Sequence, residues 1–370
     1  GLDVLREDLA IILRRETDYE SQLNASRRWG REWHFRIGVH LLRGVITPEE
    51  AGTQYGDLAL AMLKELWCLV NTQFAKKHGP APGRGSALIG LGSLGIKKLH
   101  PKSDLDLILI YDAAGVEMSS GEKSIESRSY YARLTKALVA AISAPMNEKS
   151  LFHVDMRLRP SGNQGPVATS LQAFKHYQTS EAWVWEHLAL VNATIVAGPE
   201  ILQTDISRFC ESLKTLRSEK NVMAGLSIMR NRLFSPSNIN KKWSMKLGQG
   251  KLQDIELASQ MGIILINEGV SGVHNGLIAL QKLKKICADD LAYLIKTYDL
   301  LLGVQILSKL LLKDDIKDSE LGVNGKDLFL KYTDTSSVPL LVEKISEMAF
   351  NSSVIIDNIL PNSKEVHDER

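Results

Sequence analysis

Three aspartates, Asp104, Asp106 and Asp155, carry the chemistry that can be read from this chain. Residues Ser86 to Tyr111 run SALIGLGSLGIKKLHPKSDLDLILIY, and Phe152 to Gly162 run FHVDMRLRPSG. An apolar run ends at Gly92-Ser93, and eleven residues after Ser93 the Asp104-Leu-Asp106 triplet heads the apolar stretch Leu107 to Ile110. Side chains alternate across a strand, so Asp104 and Asp106 are expected on one face. Two carboxylates held side by side repel unless a cation lies between them. Asp155 repeats the device, and if its strand stays extended, Asp155, Arg157 and Arg159 share a face. Hard oxygen ligands beside guanidiniums, with a small Gly-Ser turn nearby, suit a magnesium-bound nucleoside triphosphate. A lone Asp-x-Asp is as often a solvated strand end. The joint pattern is harder to explain structurally, because acidic groups flanked by Leu, Ile and Val are costly to bury unpaired.

Other phosphate-binding patterns fit less well. No Gly-x-x-x-x-Gly-Lys-Ser/Thr occurs, so a P-loop is not expected. Gly90, Gly92 and Gly95 match the letters of a dinucleotide fingerprint, but an Asp-x-Asp strand follows where a crossover helix should still be running.

These residues need elements to position them. Residues 5 to 36 read as one or two helices, and Pro48-Glu-Glu-Ala51 opens another with Leu58, Met62, Leu66 and Val70 on a buried stripe. His78 to Gly85, rich in Gly and Pro, delivers the chain to the strand Ser86 to Leu91. A helix is expected from about Ser127 to Ala144, a turn over Pro145 to Lys149, the Asp155 strand, and a helix from Ser170 to Glu181 with Ser170 as cap. After Ile201 the texture becomes helical: Leu202 to Arg217, Val222 to Leu233, Asp254 to Asn267, Leu277 to Cys287, Asp290 to Leu312 and Val338 to Ala349. The segments Asp314 to Lys326 and Asn351 to Arg370 read as turn-rich. The expected organisation is a helical scaffold over 1–80, a nucleotide-handling domain over 81–200 and a helical domain over 201–370 for regulation or substrate recognition.

The chain has 370 residues, 44% hydrophobic and 24% charged, with a net charge of +2. This is the composition of an ordinary soluble protein, and a nucleic-acid partner is not expected from so balanced a charge. Lys97, Lys98, Lys102, Lys241 and Lys242 are too scattered to form a basic groove. The three cysteines, Cys68, Cys210 and Cys287, are far apart and form no CxxC, which fits a reducing cytoplasm rather than zinc or disulfides. No leader-like segment and no unbroken apolar run of membrane length is seen, so no membrane role is expected.

Joined to Tyr177-Gln-Thr-Ser-Glu-Ala-Trp183-Val-Trp185-Glu-His187, the acidic motifs make the chain resemble bacterial glutamine synthetase adenylyltransferase, the bifunctional adenylyltransferase and adenylyl-removing enzyme. Arg157-Leu-Arg159-Pro-Ser-Gly162 and the Glu-Ala-Trp-x-Trp-Glu-His wording favour its carboxyl-terminal, adenylylating half. Resemblance extends to Phe35-Arg-Ile-Gly38, Leu41-Leu-Arg-Gly44, Lys246 and Asp254-Ile-Glu256. It implies an α+β fold: a mixed sheet of the nucleotidyltransferase, DNA polymerase beta-like type, with an amino-terminal helical segment and a carboxyl-terminal helical bundle. It also implies ATP as substrate, Mg(2+) at Asp104, Asp106 and Asp155, and nucleotide contacts from Gly92, Ser93, Arg157, Arg159 and Lys246. Glutamine synthetase is the implied acceptor, with a PII signalling protein and glutamine as possible effectors. The chain departs from the family wording at Ser93 and Ile96, where Lys and Gly are usual, and at Lys251, which replaces a glycine and would be strained at positive φ. Asp254 and Glu256 are read as an ion pair or helix cap as readily as chemistry, and Trp183 and Trp185 as core aromatics. Another protein or an RNA as acceptor, and a non-catalytic nucleotide-binding scaffold, stay open.

Overall fold

The computed structural model describes residues 1–143, 151–216, 218–234, 244–312 and 321–360. The expected turn at Pro145 to Lys149 and the residues Lys241 and Lys242 lie outside them.

The elements run α1 (Leu2–Arg15), α2 (Tyr19–Leu42), α3 (Pro48–His78), β1 (Gly85–Gly90), α4 (Gly92–Gly95), β2 (Leu105–Asp112), α5 (Ser127–Ser143), β3 (Val154–Asp155), β4 (Thr169–Ser170), α6 (Leu171–Ser180), α7 (Val184–Val191) and β5 (Thr194–Ala197). Then come α8 (Glu200–Leu213), α9 (Glu219–Leu233), α10 (Leu252–Ile266), α11 (Val273–Lys282), α12 (Ala288–Leu311), α13 (Val323–Thr333) and α14 (Val338–Ile359). The fold is α+β, as expected. The chain forms two compact units, one of Gly1–Val39, Gly52–Ala182 and Ala193–Ser212, the other of His40–Ala51, Trp183–Asn192 and Leu213–Arg370.

The first unit holds the sheet, in the order β3-β2-β1-β5, with β4 also pairing β2. β1 is buried along its whole length and pairs antiparallel with β2, from Gly85 opposite Asp112 to Gly90 opposite Leu107. Strands covered on both faces read as continuous apolar runs, which is why Ala87 to Ile89 and Leu107 to Ile110 carry almost no polar atoms. β3 lies parallel to β2 with Asp106 opposite Asp155. Such a pair needs a crossover, which α5 supplies. That helix is buried through Tyr130, Tyr131, Leu134, Leu138 and Ile142. Tyr131 stacks on Tyr111 with ring centres 4.3 Å apart, and its hydroxyl donates to the Pro82 carbonyl. At the far end of the β1–β2 hairpin Arg84 bridges Asp112 at 2.9 Å and Asp205 of α8 at 2.5 Å. α3 opens with Thr47 and Glu50 exchanging hydrogen bonds, the Thr47 hydroxyl accepting from the Glu50 amide and the Glu50 carboxylate from the Thr47 amide. α6 starts at Ser170, whose hydroxyl accepts from the Ala173 amide at 3.2 Å, as the sequence predicts.

The second unit is helical among its described residues. α10 and α11 approach closely because Gly262 and Gly276 face each other's helices: a Cβ on Gly262 would sit 2.1 Å from the Gly276 carbonyl oxygen, and one on Gly276 2.2 Å from the Ser259 hydroxyl. α12 is long and apolar enough to cross a membrane by length and composition alone, with a mean hydropathy of 1.2 in its most apolar window, half of which is buried. Two expectations are corrected here. α13 occupies a segment read as a turn region up to Lys326, held by Phe329, which is fully buried, and by Tyr332, whose hydroxyl donates to the Glu49 carboxylate. α14 continues ten residues beyond Ala349, through Asn351, Ser352 and Ser353. The cause is tertiary: Ile345, Met348, Ser352, Ile356 and Ile359 form one buried stripe at helical spacing, and burial outweighs the weak helix propensity of the polar residues.

Candidate active site

β1 ends at Gly90, and the chain turns through Leu91 into the single-turn helix α4. Gly92 sits at φ +54, and a Cβ there would come 2.4 Å from the Asp106 carboxylate oxygen Oδ2. The position demands glycine twice, for its backbone angle and for room beside the carboxylate. The Leu91 amide donates to the Asp106 carbonyl at 2.9 Å, so the turn is stitched to the strand that carries the aspartate. Ser93 is half-buried in α4, and its carbonyl accepts from the Lys98 amide at 2.9 Å. Ile96, at the position usually glycine, has an ordinary φ of −89, while Lys97 takes the left-handed conformation at φ 56.

Asp104 stands just before β2 and is exposed; Asp106, the second residue of β2, is half-buried. Asp155 is brought beside Asp106 by the parallel register. The strand expected to carry Arg157 and Arg159 onward is only two residues long, and this corrects the shared-face reading. The chain turns at Arg157, whose amide donates to Asp155 Oδ1 at 2.8 Å and whose guanidinium reaches back to Asp155 Oδ2 through Nε at 2.7 Å and Nη2 at 2.5 Å. Arg159 instead braces the following loop, donating to the Met156 carbonyl at 2.7 Å and the Gly165 carbonyl at 3.2 Å.

Electrostatics tie the cluster together. The hydrogen bond from Arg157 holds the Asp155 carboxyl below the usual carboxylate range, with the charges of Arg157 and Arg159 adding to it and partial burial opposing it. The Arg157 guanidinium is in turn raised, first by Asp155 and then also by Asp106 and Asp104. All three carboxylates therefore act on one exposed cation. As a donor set they suit a hard divalent ion such as Mg(2+), with Gly92 leaving the space beside Asp106 free of any side chain. Among the described residues no three His, Cys, Asp or Glu side chains are drawn close enough to hold an ion, and both Asp155 oxygens are turned to Arg157.

The remaining sequence candidates fall in the second unit. Lys246 lies near Glu256, a half-buried carboxyl that burial pushes up to about 7 against the pull of that ammonium. Asp254 is fully buried and accepts from Arg230 of α9 through Nε at 2.7 Å and Nη2 at 2.9 Å, and from the Gly250 amide at 2.7 Å. Arg230 also donates to Asp357 of α14. Both structural readings of Asp254 are thus observed, the ion pair with Arg230 and a cap-type bond from the Gly250 amide at the start of α10. Lys251 is the N-cap of α10 at φ −91, so the expected positive-φ strain is absent. Trp183, expected in the core, is 55% exposed at the start of α7. Sequence reading missed Arg230 and Asp357 altogether, since nothing in their local sequence marks partners 127 positions apart.

Residues 2–209 match the family described as glutamate-ammonia ligase adenylyltransferase. Several curated relatives are named bifunctional glutamine synthetase adenylyltransferase/adenylyl-removing enzyme. That of Mesorhizobium japonicum is 35% identical over 344 residues, covering 92% of this chain and 35% of that protein. The Brucella suis biovar 1 protein is 38% identical over 262 residues, 70% of this chain and 27% of that protein, and the Rhizobium meliloti protein 38% identical over 289 residues, 77% and 29%. The chain thus spans about a third of the length of the curated relatives it matches. It belongs to the glutamate-ammonia ligase adenylyltransferase family, as the sequence motifs implied.

Proposed function

We propose that this chain transfers AMP from ATP to a tyrosine hydroxyl of glutamine synthetase, as the adenylylating half of a longer bifunctional enzyme in the cytoplasm. The observation that carries the reading is the register of Asp106 against Asp155 beside the Gly92 turn, with Asp104, Asp106 and Asp155 all acting on Arg157. Family membership and the names of its relatives support the acceptor. A PII signalling protein and glutamine are retained as effectors on the family resemblance.

In this reading Asp104 and Asp106 hold Mg(2+) with the triphosphate, and Asp155 completes the set on the acceptor side. The ion, when bound, neutralises charge on the phosphates. A free tyrosine ionises near pH 10, so its hydroxyl needs a base at neutral pH. Asp155, kept ionised by Arg157, takes the proton. The phenolate oxygen forms a bond to the α-phosphorus, the bond from that phosphorus to the bridging oxygen breaks, and pyrophosphate leaves with its electron pair. Arg157 exchanges Asp155 for the departing phosphates. That exchange is feasible because its side chain is 72% exposed and, among the described residues, hydrogen-bonded only to Asp155. Gly92 and Ser93 present backbone and hydroxyl donors to the phosphates, while Arg159 shapes the loop from which Arg157 works; Lys246 is retained as a nucleotide contact on the family resemblance alone.

The test is incubation with α-labelled ATP, Mg(2+) and glutamine synthetase, followed by mapping of the label. Label on a synthetase tyrosine with release of pyrophosphate is expected. Transfer of γ-label alone would make the chain a kinase, and transfer of neither would overturn the reading.

A further inference from the structure

We propose a second ligand site in the first unit, for a small polyanion carrying phosphate or carboxylate groups. An open cavity of about 520 Å³ lies along the C-terminal turns of α3, lined also by Tyr19, by Ala137 of α5 and by the loop at Glu122 and Lys123. That volume is in the range of small-ligand sites. Lys76, Lys77 and Lys123 line it, against a single carboxylate, Glu122. None of the three ammoniums has an ion pair or hydrogen bond from its side chain among the described residues, although other lysines of the chain, such as Lys98 and Lys285, find partners. Unpaired like charges lining one concavity create a positive potential that an anion relieves.

An independent observation points the same way. Arg27 is 1% exposed and donates one bond, from Nη2 to the Ala141 carbonyl at 2.8 Å, while its Nε and Nη1 have no partner. A buried guanidinium left half-satisfied is costly unless a negative charge lies within its field. Arg27 and the Tyr19 hydroxyl are close enough for each to act on the other's ionisation, and Tyr19 is a wall of this cavity. The cavity is therefore lined by three lysine ammoniums, and a fourth cation, Arg27, acts on its Tyr19 wall. Val70, Phe74 and Ala137 give it an apolar side, which favours an anion with a compact carbon skeleton over a bare inorganic ion.

The site is distinct from the nucleotide cluster. Lys76, Lys77 and His78 precede the Gly85 end of β1, whereas Gly92 and Asp106 lie at the Gly90 end, a six-residue strand of about 17 Å away. His78 fixes the loop side, its Nδ1 lying 2.7 Å from the Lys123 carbonyl, and the Lys123 amide donates to the Lys77 carbonyl at 3.0 Å. The two ammonium-bearing segments are thereby held to each other before any ligand arrives.

Acetylation footprinting of the intact chain tests this, with 2,3-bisphosphoglycerate as the phosphate probe and tricarballylate as the carboxylate probe. One of the two should lower acetylation of Lys77 and Lys123 by about fivefold or more at millimolar concentration, leaving the exposed Lys136 of α5 unchanged, and Lys123→Ala should weaken that protection about tenfold. Whichever probe protects identifies the group recognised. Protection no greater than that given by potassium chloride of equal ionic strength would make these lysines solvated charges only and overturn the proposal. Asp106→Asn should leave the protection intact even if adenylyl transfer is abolished. Loss of protection in that variant would mean the probes act through the nucleotide cluster, and would equally overturn it.

Discussion

The molecule contains two arginine–aspartate arrangements of similar hydrogen-bond count and opposite character. Arg230 and Asp254 are 7% and 0% exposed, with Asp357 on the remaining side of the guanidinium. Burial works against the Arg230 charge, and the bonds from Asp254 and Asp357 outweigh it, so its pKa is raised. Arg157 and Asp155 make three bonds of similar length, yet the arginine side chain is 72% exposed. Withdrawing a partner from the first pair leaves a charge stranded without water, whereas in the second water takes its place. The lesson is that solvent access separates an ion pair built to hold helices together from one that can exchange partners during a reaction.

Arg230→Met should separate the two most strongly. It leaves Asp254 buried without its counter-charge, and the second unit should lose about 3–5 kcal/mol in denaturant unfolding followed by helical circular dichroism. A loss under 1 kcal/mol would show that water reaches Asp254 and would erase the contrast. Next in size, Asp106→Asn should keep the unfolding midpoint while, on the proposed function, lowering adenylyl transfer at least about 100-fold, because that function makes Asp106 a charged ligand of the ion. Near-normal turnover would remove Asp106 from the site. Arg157→Gln should fold with an unchanged midpoint and lose about tenfold in turnover, since an exposed pair contributes little to folding. If it unfolded as readily as Arg230→Met, the pair would be structural after all.

A further test concerns pH. Glu256 has its folded pKa raised to about 7 from an ordinary 4.5, so between those values the folded chain retains a proton that the unfolded chain has released. Stability from this group is therefore greatest below pH 4.5 and falls as pH rises toward 7, by about 3 kcal/mol. Glu256→Gln should flatten that decline in unfolding curves taken at pH 5 and pH 7. An unaltered slope would assign the pH dependence to other groups.

What the sequence made legible follows the same division. The placement of Asp104 and Asp106 at the head of β2 could be read because a period of two beside an apolar run is a local signal, and that of Asp155 on a strand because the signal recurs. The helices α3, α5, α6 and α9 were equally readable, each having a cap, a proline or an apolar stripe of its own. Arg157 and Arg159 were misjudged because only hydrogen bonding to β2 decides where β3 stops, and the strand ends two residues after it begins. β5 is four residues of weak pattern, recruited by the open edge of β1. The extension of α14 through Asn351, Ser352 and Ser353 depends on partners in other helices, as does the Arg230–Asp357 contact. Such features are tertiary, and no window of local sequence contains them.

The crossover between β2 and β3 has a consequence for how this site can vary. Asp106 and Asp155 are 49 positions apart in the chain yet face each other in one register. Closing a loop of that length costs free energy that grows only with the logarithm of its length, so residues gained or lost in the segment before α5 should be tolerated cheaply. A single residue gained or lost within β2 is another matter, because it would turn the residues on one side of it to the opposite face of the strand. Tolerance to insertion and deletion should therefore be steeply uneven along this unit, generous across the crossover and nearly nil within β2. A library of one-residue insertions scanned for retained activity would trace that boundary directly.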